Sequence, residues 1–204
     1  MKKTLMTLLL LGHAALAAGA SAVQMFDFDA QAVMPAAVGG SAAVYGRIVN
    51  GAAVASPLPL DFANFEYTIV VNGLVQDTAG ATSLFSNGTV TIYEDAATAS
   101  NWASPASFSD GTAILVGTLA TFQRSLLTAT LGSGAGSVDW TGGTMLNLRA
   151  PADQTGWPFL TSVSRAASQV QPGYTERWDG KVEPREEVVS TERMSWSELK
   201  AGYR

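Results

Sequence analysis

The sequence predicts an all-β domain, an antiparallel β-sandwich or jelly roll, and three observations predict it. Apolar and polar residues alternate with period two in several short runs, most clearly over 65–72. Asn72-Gly73 and Asn87-Gly88, within a chain of 204 residues that holds 20 glycines, supply frequent turn signals. No helical period appears before residue 185. About eight to ten strands then fall over 23–174, without an internal repeat, in a mostly antiparallel arrangement.

Phe26 and Phe28 alternate with Asp27 and Asp29 as a short first strand, which Pro35 and Gly39-Gly40 interrupt. Over 43–49, Val44 and Ile48 share one face and Tyr45 and Arg47 the other. Pro57 and Pro59 mark a loop over 50–62. Phe65, Tyr67, Ile69 and Val71 line one face of the next strand, and Glu66, Thr68 and Asn72 the opposite one. Asn72-Gly73 is expected to be a hairpin turn, since both residues tolerate positive φ. Asn87-Gly88 is read the same way, ahead of a strand over 89–94, and this turn accounts for the Asn87-Gly88-Thr89 sequon without any sugar. Residues 95–111 read as a long loop holding Trp102, Pro105 and Phe108. Strands follow over 112–119 and 122–131, a flexible link at Gly132-Ser133-Gly134, then short strands over 137–141, 144–149 and 159–165.

Residues 1–22 read as a signal peptide, forming a helix before cleavage: Lys2 and Lys3, an apolar run from Leu5 to Ala18, then Ala20-Ser21-Ala22. The run is shorter than the ~20 residues of a spanning helix, and no second one follows. The expected location is therefore extracellular, at the cell surface or periplasmic, without a transmembrane helix in the mature chain. The charged C-terminal stretch argues against an outer-membrane barrel, the other architecture that alternating strands build.

The chain holds 17 acidic and 12 basic residues. Loss of Lys2 and Lys3 makes the mature chain still more acidic, which disfavours nucleic acid as a partner. There is no cysteine, so no disulfide can staple the fold. The single histidine, His13, lies in the leader. Ser-His-Asp and Cys-His catalysis are thereby excluded from the mature chain, as are metal sites built on His or Cys. No enzyme is expected on these grounds, and no cofactor beyond a structural calcium ion.

Carboxylate chemistry passes this filter. A pair of acids can hydrolyse a glycosidic bond, and Glu66, Glu94, Asp95, Asp110 and Asp139 are the candidates, with no spacing that selects a pair. Calcium takes oxygen ligands, and Glu94, Asp95 and Asp110 are the candidate ligands. Asp27 and Asp29 are further candidates. Trp102 and Trp157 are expected in loops, where exposed rings could stack a sugar, while Trp140 alternates with Val138 and belongs to the core. Asp179-Gly180, after Trp178, reads as a turn.

Composition changes near residue 175. Residues 175–204 mix acids and bases and are expected to form a charged tail outside the domain. Ser195-Trp196-Ser197-Glu198 matches a capping box and starts a short final helix. Trp196, Lys200, Tyr203 and Arg204 are the candidate docking or sorting residues. The functional expectation is a secreted, non-catalytic β-domain serving as a structural, adhesion or binding component, with a surface glycan or another extracellular protein as partner. The alternative is a carbohydrate-binding or carboxylate-dependent glycan-active protein.

Overall fold

A computed structural model describes residues 24–50, 54–96 and 98–185. Residues 1–22, read above as a signal peptide, and the candidate docking residues Trp196, Lys200, Tyr203 and Arg204 lie outside them. The strands are β1 (Phe26–Val33), β2 (Ser41–Ile48), β3 (Glu66–Gln76), β4 (Thr82–Asp95), β5 (Thr112–Leu126), β6 (Leu131–Gly142), β7 (Trp157–Ser164) and β8 (Glu176–Val182). Each is antiparallel to its neighbours, and their order round the sheet is their order along the chain. β1 pairs with β8, so the sheet closes into a barrel. The all-β, antiparallel expectation holds, and the sandwich or jelly roll gives way to a closed barrel.

Two features of the sequence turn a run of hairpins into a barrel. The first is the Asn-Gly pairs, which are bends and not turns. Gly73 has φ +69° and Asn87 φ +62°, and both sit inside uninterrupted strands. Ala42 pairs with Leu74 and Val44 with Val71, so β3 carries one extra residue there. Such a bulge bends and twists a strand, as closure of a sheet requires. A second bulge, between Leu119 and Phe122, lets 112–126 run as one strand where two were expected. The second feature is β8. It lies in the stretch expected as tail, with Asp179-Gly180 in mid-strand, yet it supplies the last wall of the barrel.

Alternation then sorts the side chains. Phe26, Phe28, Tyr67, Ile69, Phe85, Ile92, Leu119, Phe122, Val138, Trp140, Trp157, Phe159 and Trp178 point inward and are buried in one core. Aromatic rings fill much of this core, and Phe122 stacks on Trp178 with centroids 4.9 Å apart. β6 makes room for them. Its inward positions include Gly134 and Gly136, and a Cβ on Gly134 would collide with the Phe122 ring. The stretch expected as a flexible link is therefore a strand of small residues pressed against large rings. Residues 144–149 form a 3-10 turn, Leu146–Leu148, where a strand was expected.

The outer face is polar, with Thr118, Ser133, Ser137, Ser162, Asp29, Arg177 and Asp179 on it. A lipid-facing barrel has the reverse pattern, an apolar band outside. Among the described residues, no helix is long and apolar enough to cross a membrane. Over β2 and β3 this face is covered. The β4–β5 connection folds back there, with Thr68 Oγ1 donating to Phe108 O at 2.7 Å. Arg47 pairs with Glu66 at 3.3 Å, and both hydrogen-bond Ser100.

Candidate functional site

An open concavity of about 490 Å³ lies on the outer face of β6, β7, β8 and β1. Strand register builds it as two rows of cross-strand neighbours. One row runs Ala135, Leu160, Lys181, Asp27, and the next runs Ser133, Ser162, Asp179, Asp29. Ser133, Ala135 and Ser162 are short, so the wall dips between Leu160 on one side and the charged side chains of β8 and β1 on the other. The result is an open trough with an apolar strip, two serine hydroxyls and a carboxylate rim.

The charges on that rim are mostly paired. Arg177 donates to Asp29 at 2.8 Å and to Asp179 at 3.1 Å, and these carboxylates hold its guanidinium above its ordinary pKa, the hydrogen bond to Asp29 most of all. Lys181 donates to Glu183 at 2.7 Å. Asp27 differs. Burial raises its pKa, the charge of Asp179 raises it further, and a backbone N–H and Lys181 only partly offset this. The rim thus holds one carboxyl that keeps its proton to higher pH beside an Asp179 paired with Arg177. Asp27 and Asp179 are diagonal across the β1–β8 ladder, a relation that separates residues by about 7–8 Å.

Of the residues singled out from the sequence, Asp27 and Asp29 stand on these rows, and the others do not gather here. Trp157 opens β7 and is fully buried, so its ring has no free face for a sugar, and its Nε1 donates to Asp153 O at 2.6 Å. Trp102 does lie in the β4–β5 connection, but its ring is engaged: Phe108 packs on it at 4.7 Å, Arg47 lies 5.1 Å from its centroid, and Tyr174 meets it edge-on. It fastens two connections to the barrel wall, with Tyr174 Oη donating to Trp102 O at 3.0 Å.

Glu94 accepts from Tyr67 Oη at 2.7 Å at the lower end of the barrel, where β1, β3, β5 and β7 begin. Burial and this hydrogen bond push the Tyr67 phenol up to about 12. Asp95 accepts from the Thr98 amide at 3.3 Å, and Asp110 is exposed just before β5. Glu66 is engaged by Arg47 and Ser100, and Asp139 accepts from the Gly156 amide at 2.7 Å. Among the described residues, no group of three or more Asp, Glu, His or Cys side chains is placed to hold a metal ion.

Sequence reading missed Asp179 and Lys181 because it assigned them to a turn and a tail. The signal was present: over 176–182, Glu176, Trp178, Gly180 and Val182 alternate with Arg177, Asp179 and Lys181. The fold is an up-and-down antiparallel β-barrel with a filled interior and an open trough on its outer wall. No family model, curated protein or solved structure matches the chain.

Proposed function

We propose that this chain is an exported, non-catalytic binding barrel that recognises a surface glycan through the outer trough of β6, β7, β8 and β1. The observation that carries this reading is the pairing of rows in that trough. Ala135 and Leu160 offer an apolar strip to the C–H face of a sugar, while Asp27, Asp179, Ser133 and Ser162 accept or donate hydrogen bonds to hydroxyls. Large cavities for small ligands are usual inside wide barrels, but here the interior is occupied by Phe, Tyr and Trp rings, which favours the outer wall. Export rests on the leader read from residues 1–22. The decisive experiment is a glycan array with residues 23–204, with and without calcium, repeated with Asp179→Asn and Ser162→Leu. Binding to a defined glycan class that both substitutions remove supports the reading. No binding, or binding that both variants retain, overturns it.

A carboxylate-dependent glycan-active enzyme is the second reading, favoured by the raised pKa of Asp27 and by Asp179 lying diagonal to it across the β1–β8 ladder. A raised carboxyl suits the proton donor of an acid pair, and a diagonal separation suits an inverting geometry. Hydrolysis of a glycoside that Asp27→Asn abolishes while binding persists would select it.

A further inference from the structure

The central row of the outer trough does not end at β6. Register carries it on: Leu160 pairs with Ala135, Ala135 with Gln123, and Gln123 with Leu84. A second concavity, of about 240 Å³, lies over β4, β5 and β6 at that end. Leu84, Gln123 and Ala135 line it, and Asp77, whose amide donates to Leu84 O at 2.8 Å, stands at its far side. Ala135 belongs to both concavities. Leu84 is 44% and Leu160 38% exposed, so the strip presents two apolar contacts. Three strand spacings, about 14 Å, separate them.

Hydroxyl residues border the strip on both sides. Ser125, Ser133 and Ser162 form the next row one way. On the other side Ser86 pairs with Thr121, and Ser137 follows Ala135 on the outward face of β6. Ser86 Oγ donates to Asp77 at 2.9 Å and Ser162 Oγ to Asp179 O at 3.2 Å, and each oxygen keeps lone pairs for a ligand hydroxyl. The cations of the trough are engaged, Arg177 by Asp29 and Asp179 and Lys181 by Glu183, so an acidic sugar meets no spare positive charge there. The strands under the strip are hydrogen-bonded on both sides, which leaves a peptide no edge to join by main-chain pairing. The wall is convex, because eight strands close it.

We propose that the ligand of this wall is a neutral α-1,4-linked glucose chain lying across the strands from Leu160 to Leu84, a path of roughly three sugar rings. The chain enters through the trough already assigned to a glycan, so the inference rests on that reading. An α-1,4 linkage turns each ring relative to the last, and the chain curves. Its concave side carries C–H groups and bridging oxygens, and its hydroxyls lie along the rims. The concave side covers the convex apolar strip, and the rims meet the serine and threonine rows. A β-1,4-linked chain is straight and parts from a convex wall at both ends. Two contacts on one chain reinforce each other, since the second forms at the effective concentration that the first sets.

The test titrates glucose oligomers into the 15N-labelled purified protein and follows backbone amide shifts. From maltose to maltohexaose the affinity is expected to rise about tenfold, and the amides of Leu84 and Gln123 shift only with the longer members. From cellobiose to cellohexaose no such gain is expected. Leu84→Ser and Gln123→Ala, both at exposed outer positions, should bind maltose as the native protein does and lose the gain with length. Ser162→Leu should lose both. Affinity independent of length, a gain that both β4 and β5 variants retain, or an equal gain along the β-1,4 series overturns the proposal. If no maltose oligomer binds while the array shows another glycan that Ser162→Leu removes, this inference fails and the trough reading stands. If no glycan binds at all, both fail.

Discussion

Breaking the ion pair inside the upper end of the barrel is expected to cost more than any surface change. Glu176 is 1% exposed and accepts from Arg124 at 2.6 Å. Its other oxygen accepts from Trp178 Nε1 at 3.1 Å. Arg124→Met removes the strong partner and leaves a buried carboxylate with the indole and with Arg165, which is 3.8 Å away and 45% exposed. Removing one member of a buried pair costs ~3–5 kcal/mol. The surviving indole bond and Arg165 place Arg124→Met near the lower limit, about 3 kcal/mol. Glu176→Leu leaves the Arg124 guanidinium, 11% exposed, without its carboxylate and is likewise expected to cost about 3 kcal/mol. The double variant Arg124→Met/Glu176→Leu leaves no charge behind and should fall within about 1 kcal/mol of the native sequence, as apolar replacements of buried pairs do. Urea unfolding followed by tryptophan fluorescence measures all four corners of the cycle, and Trp178 reports directly because it stacks on Phe122 beside the pair. The reasoning is refuted if Arg124→Met costs under about 1 kcal/mol, or if the two single costs simply add in the double variant.

Gly180→Ala should destabilise by about 1–3 kcal/mol, the range for overpacking, because the added Cβ would stand 2.7 Å from Phe28 Cζ, 2.8 Å from Thr161 Cβ and against Leu160 O; urea midpoints check this. Tyr67 titrates near 12 in the folded chain and near 10 unfolded, so the native state holds that proton more tightly. Its contribution is complete below pH 10 and lost as pH rises toward 12, and the urea midpoint should fall less steeply across that window in Tyr67→Phe than in the native sequence. Asp27 has a raised folded pKa, so the native state disfavours its ionised form. Asp27→Asn should therefore favour the folded state more as pH rises, seen as a urea midpoint higher relative to the native sequence at pH 7 than at pH 3. Trp102→Ala should loosen the two connections it fastens, seen as faster amide exchange over residues 98–108 and at Tyr174, with the exchange of β6 and β7 unchanged.

Much of the fold was legible because alternation is local. A run such as Phe65–Tyr67–Ile69–Val71 states its buried face without reference to any other strand, and Tyr67, Ile69 and Val71 do face the core. The same rule placed Val44 and Ile48 inside with Tyr45 and Arg47 outside, and it placed Trp140 in the core. It failed where one residue type serves two geometries. Positive φ suits a hairpin turn and a mid-strand bulge alike, so Asn72-Gly73 and Asn87-Gly88 were read as turns. It failed also at β6, whose glycines look flexible alone and become rigid only under the rings of Phe122 and its neighbours.

By itself the sequence determined the class of structure, the strands' buried faces and the chemistry left open. Without cysteine, and with its one histidine, His13, outside the described residues, the described part has carboxylates, hydroxyls and a few cations to work with. Those are properties of composition and of nearest neighbours along the chain. Only the tertiary structure decided that the sheet closes, because closure depends on the partner of an edge strand: β1 meets a β8 that lies about 150 residues away and had been taken for tail. That single pairing sets Asp27 beside Asp179, makes the outer trough, and seals Trp140, Trp157 and Arg149 at the lower end. Side chains so distant in sequence share no local signal, and their meeting is written only in the register of the closed barrel.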